Sequence, residues 1–300
     1  MPEAGGHSAE HAPYGGQAVI EGVMMRGRHN LAVAVRKSPG EIVTTVRPVG
    51  SLLTRYPFLN RPVLRGVLAL WDTLRIGIWA VKWSGETLMD RPASRWTGPL
   101  SIAIALVLFL VIPERVAALA GRWVDDRWLN IVDGLVRFAV FGLYFLGISR
   151  LKEVQRIFRY HGAEHRTINA FEAGVPLEVP RVQQFSAIHD RCGTNFIVVV
   201  LVITLVVFSV VPWSTFVGRM LLRLVLLPLI AGVSYEVLRL GARRESLLLR
   251  WLAAPGRWVQ RLTTGVPDDE QVEVAIAAFE AVRRAEEAQA AATQSAAADE

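Results

Sequence analysis

The sequence predicts a membrane α-helical protein with about four transmembrane helices, interfacial amphipathic helices and a small N-terminal β-hairpin or meander domain. Three observations lead there. Apolar residues make up 52% of the chain and gather in long blocks, and the mean hydropathy is +0.33. Basic residues flank those blocks instead of forming one dense run. Near the N-terminus, Val- and Ile-rich runs broken by turn residues replace helical periodicity. A length of 300 residues would suit two soluble domains, but apolar blocks approaching twenty residues read as spans.

Residues 1–14 are Gly, Ala, Pro, His and Glu, the composition of a disordered tail. They lack the basic and apolar regions of a signal peptide. His7 and His11 have helical spacing there, but a flexible tail holds a metal poorly. Residues 15–62 read as a cytoplasmic β-rich segment. Gln17–Met25 is one Val/Ile/Met run, and Leu31–Lys37 and Glu41–Arg47 flank the turn signal Ser38-Pro39-Gly40. The glycines here do not form a nucleotide-binding pattern. Glu21 is an isolated acid in its run: an outward-facing strand residue, or a polar group near a site. Residues 63–96 hold an amphipathic stretch with Arg65, Trp71, Asp72, Arg75, Lys82 and Trp83. That is too charged to cross lipid and suits a helix lying in the interface.

Residues 97–240 form the membrane domain. Its four apolar blocks are Gly98–Leu119, Leu129–Ile148, Asn195–Trp213 and Phe216–Leu240. Pro113 comes late in the first and is expected to kink or end it. Asp133 and Arg137 lie in the second, Arg223 and Glu236 in the fourth; charges at such depth pair or line a polar path. Lys and Arg concentrate before the first block, in the connection 150–194 and after the fourth. The positive-inside rule then places both termini and that connection in the cytoplasm, with the protein multi-pass in the inner membrane. Residues 241–285 begin with a Trp/Arg-rich amphipathic stretch, Ser246–Leu262. A helix capped by Asp268 or Asp269 follows. Residues 286–300, rich in Ala, Gln, Glu and Ser, are expected to be disordered.

The net charge of +6 is accounted for by anchoring at the membrane surface, so nucleic acid is not an expected partner. Cys192 is the sole cysteine, which excludes an intrachain disulfide. The chemistry gathers in Tyr160–Gly174, YHGAEHRTINAFEAG. On a helix, His161 and His165 stand one turn apart on one face, and two imidazoles so spaced can hold a divalent metal. Glu164 between them is the natural base of a metal-dependent hydrolase. His189 and Cys192 form a second cluster. If all four ligands bind, a tetrahedral zinc site is closed and structural; if three bind, a position is open for chemistry. Glu172 competes as third ligand, and the histidines could instead pair with Glu164, Glu172 or the backbone without metal. Cys192 could also act as a nucleophile beside His189 or His161.

The segments GGQAVIEGVMMRG (Gly15–Gly27), YHGAEHRTINAFE (Tyr160–Glu172), HDRCGTNF (His189–Phe196), PLIAGVSYEVLRL (Pro228–Leu240) and LTTGVPDDEQVEVAIAAF (Leu262–Phe279) resemble those of the YqhQ-like family of bacterial membrane proteins. That family is of unknown function and often labelled a predicted metal-dependent enzyme. The resemblance implies that His161, Glu164, His165, His189 and Cys192 share one functional centre. It also marks Asp190 as a departure, since family members commonly carry Pro there.

The expected function is therefore a metal-dependent enzyme, a zinc-type hydrolase at the cytoplasmic membrane face. Its partners are the bilayer and a lipid, lipid-linked or membrane-peptide substrate. The alternatives are a scaffold or regulator with a structural metal, and a transporter using Asp133, Arg137, Arg223 and Glu236. Four spans are few for transport, so that last reading requires a homo-oligomer.

Overall fold

The computed structural model describes residues 14–90, 94–189, 192–211, 215–243 and 256–298. His7, His11, Asp190 and residues 246–255 of the amphipathic stretch lie outside them. The chain divides into two compact units. One gathers Met1–Gly50, Arg156–His189 and Thr264–Glu300; the other consists of Ser51–Gln155 and Asp190–Thr263. The connection 150–194, expected as part of the membrane domain, thus contributes most of its length to the unit that holds the N-terminal strands.

That first unit is built on an antiparallel sheet of four strands, β1 (Gly15–Val19), β2 (Gly22–Arg26), β3 (Asn30–Ser38) and β4 (Glu41–Pro48). They run as a meander in the order β1-β2-β3-β4. The Ser38-Pro39-Gly40 signal makes the expected turn, with Gly40 at φ 79°, a left-handed value that glycine adopts without steric cost. Gln17–Met25 is not one strand. It reverses at Ile20 and Glu21, where Glu21 takes φ 51°, and the Arg36 amide donates to the Glu21 carbonyl over 2.9 Å. Folding back buries Val19, Val23, Met24 and Met25, which a straight strand would spread along its length. β3 is buried from Asn30 to Arg36 on both faces, which explains its unbroken apolar composition.

Two helices pack with this sheet. α6 (Lys152–Glu172) contributes Tyr160, Ala163, Ile168 and Ala170 to the core; α11 (Asp269–Ala298) contributes Val272, Ala275, Phe279 and Val282. Tyr14, Phe171 and Phe279 form an aromatic trio with centroids 4.7–5.4 Å apart. α6 stops in a Schellman motif: Gly174 takes φ 69°, and the Gly174 and Val175 amides donate to the Phe171 and Ala170 carbonyls. α11 starts at a capping box. The Gln271 amide donates to Asp268 Oδ1 over 2.9 Å, and the Asp268 amide to Gln271 Oε1 over 3.0 Å. The helix continues to Ala298, through residues expected to be disordered. Ala, Glu and Gln are strong helix formers, and a capped, core-anchored first half overcomes the nucleation cost for the rest.

The second unit is helical. α1 (Leu52–Arg55) leads to α2 (Leu64–Met89). α2 turns Asp72 inward, where it accepts from Ser51 Oγ and the Leu52 amide, both over 3.1 Å. Trp71, Leu74, Ile78 and Val81 are exposed along it at helical spacing, consistent with an interfacial helix. The next helix is continuous over α3 (Thr97–Leu106), a π-helical turn (Val107–Val111) and α4 (Ile112–Ala120). Pro113 therefore does not end it. The missing Pro113 N–H frees the carbonyl of Phe109, four residues back, and Arg137 Nη1 donates to that carbonyl over 2.6 Å. α5 (Asp126–Ile148), α8 (Gly193–Ser209) and α9 (Phe216–Arg243) complete the set, with a further helix, α10, at residues 256–263. α2 crosses α9 closely: a Cβ on Gly66 would come within 2.9 Å of the Gly232 carbonyl.

Three helices, Gly98–Ala120, Trp128–Ile148 and Phe216–Leu240, are long and apolar enough to cross a membrane. The remaining apolar block forms a helix of 17 residues, Gly193–Ser209. At 1.5 Å per residue that is about 25 Å, short of a hydrocarbon core of about 30 Å. The charges expected to pair do so. Asp133 binds Arg137 and Arg223, and Glu236 forms a bidentate pair with Arg65.

Candidate metal centre

α6 presents His161, His165 and Glu172 on one face, while Tyr160, Ala163 and Thr167 are buried on the other side of the helix. The rings of His161 and His165 lie 4.4 Å apart, and those of His165 and His189 5.7 Å apart. Glu164 Oε2 is 3.9 Å from His161 Nε2 and 3.7 Å from His165 Nε2. These separations are too long for hydrogen bonds. His189 Nε2 lies 3.5 Å from Glu172 Oε2. Three of the four expected metal ligands and the expected base thus come together within the sheet-bearing unit.

The tautomer of His165 follows from its partner. Its Nδ1 is 2.6 Å from the Ala187 carbonyl, which can only accept, so Nδ1 carries the proton and Nε2 keeps its lone pair. Burial holds His165 neutral, pushing its pKa from 6.5 down to about 3, and the neighbouring His161 adds to the effect. A neutral imidazole with Nδ1–H on a carbonyl is the usual state of a metal-binding histidine.

The connection that brings His189 back, which includes the short helix α7 (Val179–Val182), is strapped to α6 by side chains the sequence reading did not single out. Asn169 Nδ2 donates to the carbonyls of Ser186 and Ile188 over 2.8 and 3.1 Å, and Arg166 Nη1 to the Gln183 carbonyl over 2.7 Å. Gln183 in turn reaches Pro267 and Asp269. Asn169 stands one turn after His165, so helical spacing was the available signal. Gly16 had no such signal. A Cβ there would meet Glu164 Cγ at 2.9 Å, so the backbone of β1 walls the carboxylate directly.

Glu21 has a role near this site. Its carboxylate pairs with Arg156 and accepts from the Tyr160 hydroxyl over 3.3 Å. Burial and the Glu21 charge push the Tyr160 pKa upward, so the hydroxyl remains a donor. The contact fixes α6 at the residue before His161.

Comparison with known proteins places the chain. Residues 61–285 match the family described as a protein of unknown function, DUF1385. The chain is also 32% identical to the Uncharacterized protein YqhQ of Bacillus subtilis (strain 168), with 91% of this chain and 93% of that protein covered. This protein belongs to the DUF1385 family. No solved structure matches it. The matched range of this DUF1385 protein holds every candidate ligand, whereas Gly16 and Glu21 precede it.

Cys192 lies in the helical unit of this DUF1385 protein. It caps α8, where Sγ accepts from the Thr194 amide over 3.4 Å and its S–H meets Thr194 Oγ1 at 3.2 Å. Burial pushes the thiol upward, which is the setting of a packed thiol and not of a poised nucleophile. Three residues of chain keep it within about 10–11 Å of His189.

Proposed function

We propose that this protein is a metal-dependent membrane enzyme. In this reading His161, His165 and His189 hold a divalent metal, zinc by their donor chemistry, and Cys192 is the further ligand that the chain keeps near His189. Zinc would supply Lewis acidity and lower the pKa of water. Glu164 is the base of a hydrolysis, and Arg166, Asn169 and Ala187 orient the ligands. The observation that carries the proposal is the buried, neutral His165, its Nδ1–H fixed on Ala187 and its Nε2 turned toward Glu164 Oε2. His161 is the more exposed member, at 18% against 2% for His165, so an open position belongs beside it. Apolar helices of membrane-crossing length in the same chain support a lipid, lipid-linked or membrane-peptide substrate.

A bilayer location is supported by composition. The charge bias supports the inner membrane, cytoplasmic termini and a site on the cytoplasmic face. An even number of spans, with Gly193–Ser209 as the fourth, fits that bias.

The test is elemental analysis of detergent-purified protein with its Glu164→Gln and His165→Ala variants. One equivalent of zinc in wild type and Glu164→Gln, lost in His165→Ala, is expected; no metal in the wild type purified without chelators would sink the proposal. The burial of Glu164 and His165, 3% and 2% exposed, favours one rival, a scaffold whose metal is structural. That rival predicts that Glu164→Gln is silent in every assay, while the enzyme reading predicts a folded, metallated and inactive protein.

A further inference from the structure

The helical unit buries five charged side chains together: Glu114 on α4, Asp133 and Arg137 on α5, and Arg219 and Arg223 on α9. Glu114 pairs with Arg219. Asp133 takes a fork from Arg137, at 2.9 and 3.1 Å, and a further bond from Arg223 Nη2 at 2.7 Å. Three guanidinium groups thus face two carboxylates. Arginine does not deprotonate in proteins, so one positive charge is left over. Two further donors of the cluster lie on Arg223. Arg223 is 5% exposed, and its Nε and Nη1 are buried without an acceptor; its guanidinium lies 5.4 Å from the Phe208 ring.

Depth makes this costly. Arg223 is seven residues from Phe216, about 10 Å along the helix at 1.5 Å per residue. Arg137 is nine from Trp128, about 13 Å, and Glu114 six from Ala120, about 9 Å. The cluster sits in one half of the candidate spans, where unpaired charge is strongly disfavoured. Water could take the free N–H groups but would leave the charge. An oxyanion takes both, because guanidinium matches phosphate oxygens in charge and fork geometry.

We propose that the helical unit binds a single phosphate-class anion at Arg223. A phospholipid would bring its phosphate to this depth with its chains along the apolar helices; a free phosphate would have to enter as an ion.

The experiment uses the full-length protein in mild detergent, wild type against Arg223→Met, which leaves Asp133 its Arg137 partner. Native mass spectrometry reads retention of phosphatidylglycerol against diacylglycerol, which lacks the phosphate, and a thermal-shift titration uses inorganic phosphate. Wild type is expected to prefer phosphatidylglycerol at least tenfold, and Arg223→Met to lose that preference. Arg223→Lys, which keeps the charge, should retain part of it and guards against a folding defect. A phosphate-dependent shift in wild type without lipid preference would identify the free ion as the source. No lipid preference and no phosphate shift in wild type, or either effect undiminished in Arg223→Met, would overturn the proposal.

Discussion

The two units differ in how they bury polar groups. In the sheet-bearing unit His165 and Tyr160 are buried as neutral groups, His165 tied to the Ala187 carbonyl and Tyr160 to Glu21, and the buried Arg36 pairs with Glu273 at the surface. In the helical unit five of the buried groups are arginines and carboxylates gathered in one cluster and tied to each other. The difference has a physical cause. Loops such as 183–189 offer carbonyls that no ladder uses, so a neutral imidazole finds an acceptor there. Long apolar helices have spent most of their backbone groups internally; the Phe109 carbonyl freed by Pro113 is an exception, and Arg137 takes it. A neutral buried imidazole keeps a lone pair for a metal, whereas buried guanidinium groups need an anion.

The strongest way to break this comparison is to remove an ionised partner. Asp133→Leu leaves Arg137 and Arg223 without their acid, and should cost about 3–5 kcal/mol; a melting curve in detergent that barely moves would show the cluster is not held as ions. In the sheet-bearing unit, Gly16→Val pushes carbon into both the Met24 carbonyl and Glu164. Overpacking of this kind costs about 1–3 kcal/mol, and any Glu164-dependent activity should fall further than stability does.

Acid sharpens the contrast. Because the folded state holds the His165 pKa at about 3 against 6.5, the unfolded chain binds the proton first. The stabilisation is complete above pH 6.5 and is lost as pH falls from 6.5 toward 3, with a slope of at most ~1.4 kcal/mol per pH unit. Unfolding of chelator-treated wild type and His165→Gln across that window checks this; equal slopes would refute it. The mildest change is Asn169→Ala, which frees two loop carbonyls. It should cost about 1 kcal/mol and weaken metal retention more than global stability, as a zinc-competition titration would read out.

Much of this was legible from residues. The meander announced itself through Ser38-Pro39-Gly40, α11 through the Asp268 cap, and the candidate ligands through the spacing of His161 and His165. What escaped reading has identifiable reasons. The reversal at Glu21 was hidden because a β1–β2 hairpin built from one apolar run looks the same in sequence as one longer apolar strand. Gly16 could not be linked to Glu164, since nothing local connects residues so far apart in the chain.

Sequence by itself determined the apolar helices, the i, i+4 histidines and the surplus of arginine, because periodicity, spacing and charge are properties of neighbouring residues. Tertiary structure decided that segments before residue 51, between 156 and 189 and after 263 make one unit. It also decided which tautomer His165 adopts and which arginine is left with donors to spare. Each of these depends on what a distant segment places against the side chain, and burial and partner choice are properties of the packed whole.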